Sequence, residues 1–195
     1  MKLDGLWRRT SVALRSLTTR AHVRVVARAK LPTKYGEFEI HVYETRLKRQ
    51  TDVALVRGNI GDGEGVLVRV HSSCLAGDVF HSARCDCDQL IERVLQRIAS
   101  DGRGILLYLS QEGRGIGLTN KIRAYALQEQ GYDTVEANER LGFGADLRDY
   151  GLAVAILQHL GVQSINLLSN NPRKLAGVTT HGLRVMELLP HEISA

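Results

Sequence analysis

No apolar run in the 195-residue chain approaches the length of roughly 20 residues that a bilayer-spanning helix needs. Arg69, Arg103 and Arg123 interrupt the apolar segments that do occur. The N-terminus has no continuous hydrophobic stretch of the secretory kind, so the expectation is a cytoplasmic protein with no membrane partner. Cysteine is scarce. Cys74, Cys85 and Cys87 are the whole complement, too few and too clustered for a disulfide framework, although one disulfide beside a free thiol stays open. There is no internal repeat and no low-complexity linker. A basic body is missing as well, despite a pI of about 9.3. Residues 1–30 hold eight basic side chains against Asp4 alone, and with +5 overall this leaves residues 31–195 at −2. A surface for the phosphate backbone of nucleic acid should show as a basic face on the folded body, so no nucleic-acid partner is expected.

What is present is ordinary in proportion: 44% hydrophobic and 24% charged residues, enough for one well-filled core. Residues 1–20 are rich in Arg, Ser and Thr and read either as a flexible basic extension or as a transit-type segment, with the folded domain over 21–195. Strands are expected at Val23–Ala29, Glu37–Tyr43, Asp52–Arg57 and Val66–Val70. In the second of these, Phe38, Ile40 and Val42 alternate with polar residues. The texture then changes. Leu90, Ile91, Val94, Leu95 and Ile98 fall at helical spacing within Leu90–Ala99, and helices are also expected at Leu118–Gln130 and Leu152–Leu160. Strands at Ile105–Leu109, Ile165–Leu168 and Leu183–Leu188 alternate with them. This predicts an α/β protein of the α+β type: a β-rich N-terminal half, then alternating helices and strands around one sheet.

Four patterns carry chemistry. Three cysteine thiolates in His71-Ser-Ser-Cys74 … Arg84-Cys85-Asp-Cys87 describe a zinc site with one coordination position left over, the arrangement of a catalytic zinc, with Arg84 placed to favour ionised thiols. His71 or His81 could instead close a structural Cys₃His site. The run Gln111-Glu-Gly-Arg-Gly-Ile-Gly117 lies between a strand and a helix, where glycines let backbone N–H groups approach an anion. Arg114 adds a phosphate-matching fork and Glu112 an acceptor for a purine edge or a water, although a plain Gly-rich turn reads equally well. Asp146-Leu-Arg148-Asp149 sets a carboxylate beside a guanidinium, or else marks a solvated helix start with Asp149 in the first turn. Ser169-Asn-Asn-Pro-Arg173-Lys174 follows a strand and ends in two cations, a natural anion loop.

These motifs, with Asn120-Lys-Ile-Arg-Ala-Tyr125, Gly131-Tyr-Asp-Thr-Val-Glu-Ala-Asn138 and Leu141-Gly-Phe-Gly-Ala-Asp146, stand in an order and spacing that resembles GTP cyclohydrolase II, from about residue 22 to about 190. The resemblance implies hydrolytic opening of the GTP imidazole ring with loss of formate and pyrophosphate, giving the diaminopyrimidinone ribosyl phosphate that begins riboflavin synthesis. It implies one zinc per subunit on Cys74, Cys85 and Cys87, magnesium with the triphosphate, and a homodimer. It also implies Tyr125 beside the reacting base, Asp146 as proton acceptor and Arg148 as nucleophile at the α-phosphate. GTP contacts are implied at Arg69, Val70, His71, Ser72, Ser73, Gln89, Glu112, Gly113, Arg114, Thr134, Ser169 and Lys174.

The departures crowd around the base and the metal. Ser73 replaces the family's usual Glu before the first cysteine, and Asp88-Gln-Leu-Ile replaces Gly-x-Gln-Leu, so the nucleotide-contacting Gln is either lost to Leu90 or shifted to Gln89. Ser110 precedes the Gly-rich run where Arg is common, His81 stands at a usually apolar position, and the family's C-terminal tail has no counterpart after Ala195. Two alternatives follow. One is a relative that stops at a formamidopyrimidine nucleotide or serves a specialised purine-derived pathway; the other is a GTP-binding protein whose zinc is closed.

Overall fold

The computed structural model describes residues 23–45 and 48–190. The basic extension expected over 1–20 lies outside the described residues. One seven-stranded sheet runs in the order β1-β2-β3-β5-β4-β6-β7. Strands β1 (Val23–Thr33), β2 (Gly36–Thr45) and β3 (Lys48–Arg57) form an antiparallel meander, and β3 pairs antiparallel with β5 (Gly104–Leu109). The rest is parallel: β4 (Val66–Ser72) lies between β5 and β6 (Ser164–Leu168), and β6 pairs with β7 (Arg184–Leu189). The expected change of texture is thus a change of sheet type. The hairpin half is antiparallel, and the half with helical crossovers is parallel, as short turns and long connections respectively require.

Helices cover both faces of the parallel part, which is why Val66–Val70 is buried without alternation. On one face α2 (Cys87–Asp101) sets Leu90, Val94, Leu95 and Ile98 against Phe38, Leu67, Leu106 and Leu168. Gly102, in the left-handed region at φ 73°, ends that helix and frees the chain to turn into β5. On the other face α5 (Gly151–His159) is buried from Gly151 to Leu157 and packs with α6 (Pro172–Thr180) over Val68, Ile105, Leu107 and Ile165. The remaining helices are a single turn, α1 (Leu75–Asp78), then α3 (Gly117–Gln128) and α4 (Thr134–Arg140).

This topology positions the site. The chain leaves β4 for α2 on one face and leaves β5 towards α5 on the other, so the connections diverge at the carboxyl ends of two adjacent parallel strands. A crevice opens at such a switch point.

Helix α4 was not among the expected elements. Its cause is a capping box: Asp133 Oδ1 accepts from the backbone N–H groups of Val135 (2.7 Å) and Glu136 (2.9 Å), and Glu136 Oε2 accepts from Asp133 N at 3.0 Å. Asp149, for its part, stands before α5 rather than in its first turn, with Oδ1 accepting from Gly151 N at 2.9 Å. Asp133→Ala should cost about 1 kcal/mol, seen as a lower urea midpoint with unchanged slope. An unaltered midpoint would show that packing alone holds α4.

Candidate functional site: a thiol cluster in a cationic crevice

The crevice at the ends of β4 and β5 holds a cavity of about 430 Å³, lined among others by Ser72, Ser73, Cys74, Cys85, Cys87, Glu112 and Arg114. The three thiols come from two loops. Cys74 follows β4 directly and Cys87 opens α2. Cys74 Sγ and Cys85 Sγ are 3.6 Å apart, and the three sulfurs all lie within 4.8 Å of one another. Thiolates on a tetrahedral zinc at about 2.3 Å stand about 3.8 Å apart, so the donor set fits that ion. Among the described residues no histidine joins the group. His71 Nε2 is 3.1 Å from Asp78 Oδ1, and the exposed His81, at φ 53°, pairs through Nδ1 with Asp88 at 3.0 Å.

Room for the sulfurs depends on a missing side chain. A Cβ at Gly77 would stand 2.5 Å from Cys85 Sγ and 3.2 Å from Cys74 Sγ. Asp78, one residue on, organises the loop. Its buried carboxylate accepts from Cys74 N at 2.8 Å and from the Tyr108 hydroxyl at 2.7 Å, and pairs with His71, whose ring stacks on Tyr108. Burial opposes its charge, yet these partners keep the Asp78 carboxyl below its ordinary range.

Lys121, on α3, reaches Cys74 Sγ at 3.0 Å and Glu112 Oε1 at 2.7 Å. Glu112 in turn accepts from Leu75 N at 2.7 Å, which ties the Gly-rich turn to the metal loop. Burial alone would raise the Cys74 thiol, but hydrogen bonds from Lys121 and the Gly77 backbone hold it low; burial and its two sulfur neighbours push Cys87 up. The turn itself is tight, with Gly113 and Arg114 both in the left-handed region. Tyr125 lines the cavity, with the Arg84 guanidinium 4.6 Å and Lys121 Nζ 5.6 Å from its ring centroid.

Arg148 lies on the boundary of this cavity and a neighbouring one of about 380 Å³, shared with Asp146, Tyr150 and Arg173. Asp146 holds it by two contacts, Oδ1 to Nε at 2.9 Å and Oδ2 to Nη2 at 2.5 Å. Behind them lie two more cations. Arg69 Nη1 donates to Leu168 O and Lys174 Nζ to Val70 O, each at 2.8 Å. Burial lowers Arg69 to about 10; burial, then repulsion from Arg69 and Arg148, lowers Lys174 to about 6. Two guanidiniums and an amine whose charge burial opposes, with Asp146 bonded to one of them, favour an anionic ligand.

Of the residues expected to touch substrate, Ser72, Ser73, Glu112, Gly113, Arg114, Tyr125, Thr134 and Arg148 line the larger cavity, and Asp146 lines its neighbour. Others do not line either. Val70 is core, the His71 side chain is turned to Asp78, Ser169 Oγ accepts from Asn171 N, and Arg69 and Lys174 are buried against Leu168 O and Val70 O. Gln89 is exposed on α2 and Leu90 is packed in the core, so neither candidate for the shifted Gln lies at the cavity. Lys121, Asp78, Gln128 and Asn138 take part without having been expected at the site from their motifs. The last two line the crevice with Thr134, and only their helical spacing from Tyr125 and Thr134 signalled it.

A thiol cluster that could hold a metal, in a crevice lined by Arg84, Arg114, Lys121 and Arg148 on a half-parallel sheet, defines the class: a protein with a candidate metal site beside a cationic wall. The chain belongs to the GTP cyclohydrolase II family, whose sequence model matches residues 23–190. It is 56% identical over 169 residues to the riboflavin biosynthesis protein RibBA of Bacillus cereus, covering 87% of this chain and 43% of that protein. It is 54% identical to the GTP cyclohydrolase-2 of Hahella chejuensis, covering 88% of this chain and 83% of that one. The chain therefore spans less than half the length of the RibBA relatives it matches. Among solved structures, the two-domain 3,4-dihydroxy-2-butanone 4-phosphate synthase RibBX of A. baumannii aligns at a TM-score of 0.47 with 23% identity, over 82% of this chain and 38% of its own, too distant to bear on the site.

Gly77→Ala should weaken zinc binding at least about tenfold, measured by competition with a chromophoric chelator; unchanged affinity would mean that α1 gives way freely. Lys174 should shape stability against pH. Its folded pKa, about 6, lies below the ordinary 10.5, so between these values unfolding takes up a proton and stability rises with pH. The urea stability of the natural chain relative to Lys174→Met should therefore increase from about pH 6.5 to about pH 8.5. A flat difference would place a proton on Lys174 throughout.

Proposed function

We propose that this chain hydrolyses GTP at the imidazole ring, releasing formate and pyrophosphate, as the first step of riboflavin synthesis. The observation that carries the reading is the pairing of two chemistries at one crevice: the three-thiol cluster beside Tyr125, and Arg148 on the wall with the buried Arg69 and Lys174 behind it. A purine nucleoside triphosphate has one end for each. Zinc on the thiolates would supply a Lewis acid that makes water acidic at neutral pH.

The chain's own residues do the rest. Arg148, on the boundary of the two cavities, is the residue for the α-phosphate, and Asp146 keeps its guanidinium oriented. Arg114 offers a second fork from the Gly-rich turn. A polyphosphate would favour the protonated form of Lys174 that burial and the neighbouring Arg69 and Arg148 otherwise disfavour, which strengthens the hold on the bound anion. Glu112, anchored by Leu75 N and Lys121, presents its carboxylate on the wall near the thiols, where it can accept a proton or a purine N–H. Gln128, Thr134 and Asn138 give the opposite wall uncharged donors and acceptors suited to the base. Magnesium would travel with the triphosphate. A homodimer working in the cytoplasm completes the reading, with subunit mass in solution as the check on the dimer.

A second reading has a specific observation behind it. Ser73 lines the cavity where the family's usual Glu would add a carboxylate beside the thiols, which favours a reaction halted at a formamidopyrimidine nucleotide. Incubation with GTP, Zn²⁺ and Mg²⁺ followed by formate assay and product mass decides. Formate and pyrophosphate released in equal amounts support the full reaction, and a retained formyl group supports the halted one. Tight GTP binding without turnover overturns both. Cys85→Ser should lose zinc and formate release together; formate release by that variant would remove the thiol cluster from the mechanism.

A further inference from the structure

The turn after β5 and the segment before α5 are distant in sequence and meet along one seam. Gln111 leaves β5 with its side chain buried, and both halves of its amide are engaged by the backbone of one residue, Asp149. Nε2 donates to Asp149 O at 2.9 Å, and Oε1 accepts from Asp149 N at 2.8 Å. A primary amide thus reproduces the two-bond exchange that a strand residue makes with its partner. Two residues earlier, Leu147 N donates to Arg114 O at 2.9 Å. Gly115 lies so close beneath it that a Cβ there would stand 2.9 Å from the Leu147 carbonyl oxygen.

Arg148 is the residue between these two anchors. Its backbone is held on both sides while its guanidinium, tied to Asp146, is left on the cavity wall. Gln111 itself does not line the cavity. We propose that Gln111 is the positioning residue of the site: its amide clasps Asp149 so that Glu112 and Arg114 from one segment and Arg148 from the other form a single rigid wall. The functional half of this inference rests on Arg148 acting on the substrate as proposed above; the structural half does not.

Hydrogen exchange on the zinc-loaded full chain without nucleotide tests the structural half. Gln111→Ala should speed exchange of the Leu147–Asp149 amides by about tenfold or more, with exchange in α2 and zinc content unchanged. Should that variant lose protection globally, Gln111→Glu gives the same reading, because it keeps the acceptor for Asp149 N and lacks the donor for Asp149 O. Unchanged exchange at Leu147–Asp149 overturns the clasp.

A double-mutant cycle tests the functional half. Gln111→Ala should lower kcat for formate release by about 30-fold with KM for GTP altered less than about threefold. Added to Arg148→Ala it should cost nothing further, since it acts through that residue. Full additivity of the two losses, or a natural kcat in Gln111→Ala, overturns it. A natural chain that releases no formate from GTP overturns the proposed activity instead, and leaves the exchange result standing on its own.

Discussion

Strand β4 is hydrogen-bonded on both sides to parallel neighbours, β5 and β6, and most of the site's geometry depends on that pairing. Parallel strands end together, so three chain segments leave the sheet at one edge: Ser73-Cys74, Ser110 to Arg114, and Ser169 to Lys174. A slip of β4 by one residue would turn Leu67 from the α2 face to the α5 face and carry Cys74 with it. The filled cores on both faces, with Val66, Val68 and Val70 on one and Leu67 on the other, make that slip costly. The register of an apolar strand thereby sets the placement of a thiol.

Charge has been arranged against stability at that edge. Arg69 and Lys174 spend their hydrogen bonds on backbone carbonyls of neighbouring strands, not on carboxylates, and Arg69 Nε is buried without a partner. Asp146 is already committed to Arg148. An anionic ligand would offset this cost. The same logic governs the thiols. Cys74 is held low and Cys87 is pushed up within one cluster, a conflict that a divalent cation resolves for all three sulfurs together.

Much of this could be read from the sequence, and the exceptions have physical causes. Periodicity found every strand and three of the helices, because burial on one face or two leaves an apolar pattern: the seven strands and α2, α3 and α5 lie where it placed them, with β1 extending to Thr33 and α3 ending at Gln128, whereas α6 is signalled only by its helix-starting Pro172. Helix α4 escaped it because seven residues are too few to show a period, although Asp133-Thr-Val-Glu136 was a readable capping box. The cysteine count named the metal group, and the structure gathers the three sulfurs. Contact residues are less legible. His71 and Ser72 are adjacent in β4 and so point to opposite faces: Ser72 meets the cavity and His71 meets Asp78. Position in a motif does not carry that distinction, and strand alternation does. Lys121 and Asp78 had no signal of their own, since each matters only through what the fold brings within 3.1 Å of it.

The two chemistries cannot drift apart, and that follows from shared scaffolding. Glu112 bonds Leu75 N in the metal loop and Lys121 on α3, so the Gly-rich turn and the thiols move together. The same turn grips Leu147 through Arg114 O and Asp149 through Gln111, so the Arg148 segment moves with it. Lys174 closes the circuit by bonding Val70 O, four residues before Cys74 on the same strand exit. A ligand touching both the thiol cluster and the cation cluster therefore meets a nearly fixed separation. On the proposed activity, molecules with a base and a polyphosphate at that spacing would be accepted, and shorter ones would lose one end. Preorganisation of this kind would turn binding energy at the phosphates into placement of the base, which is where the proposed hydrolysis needs it.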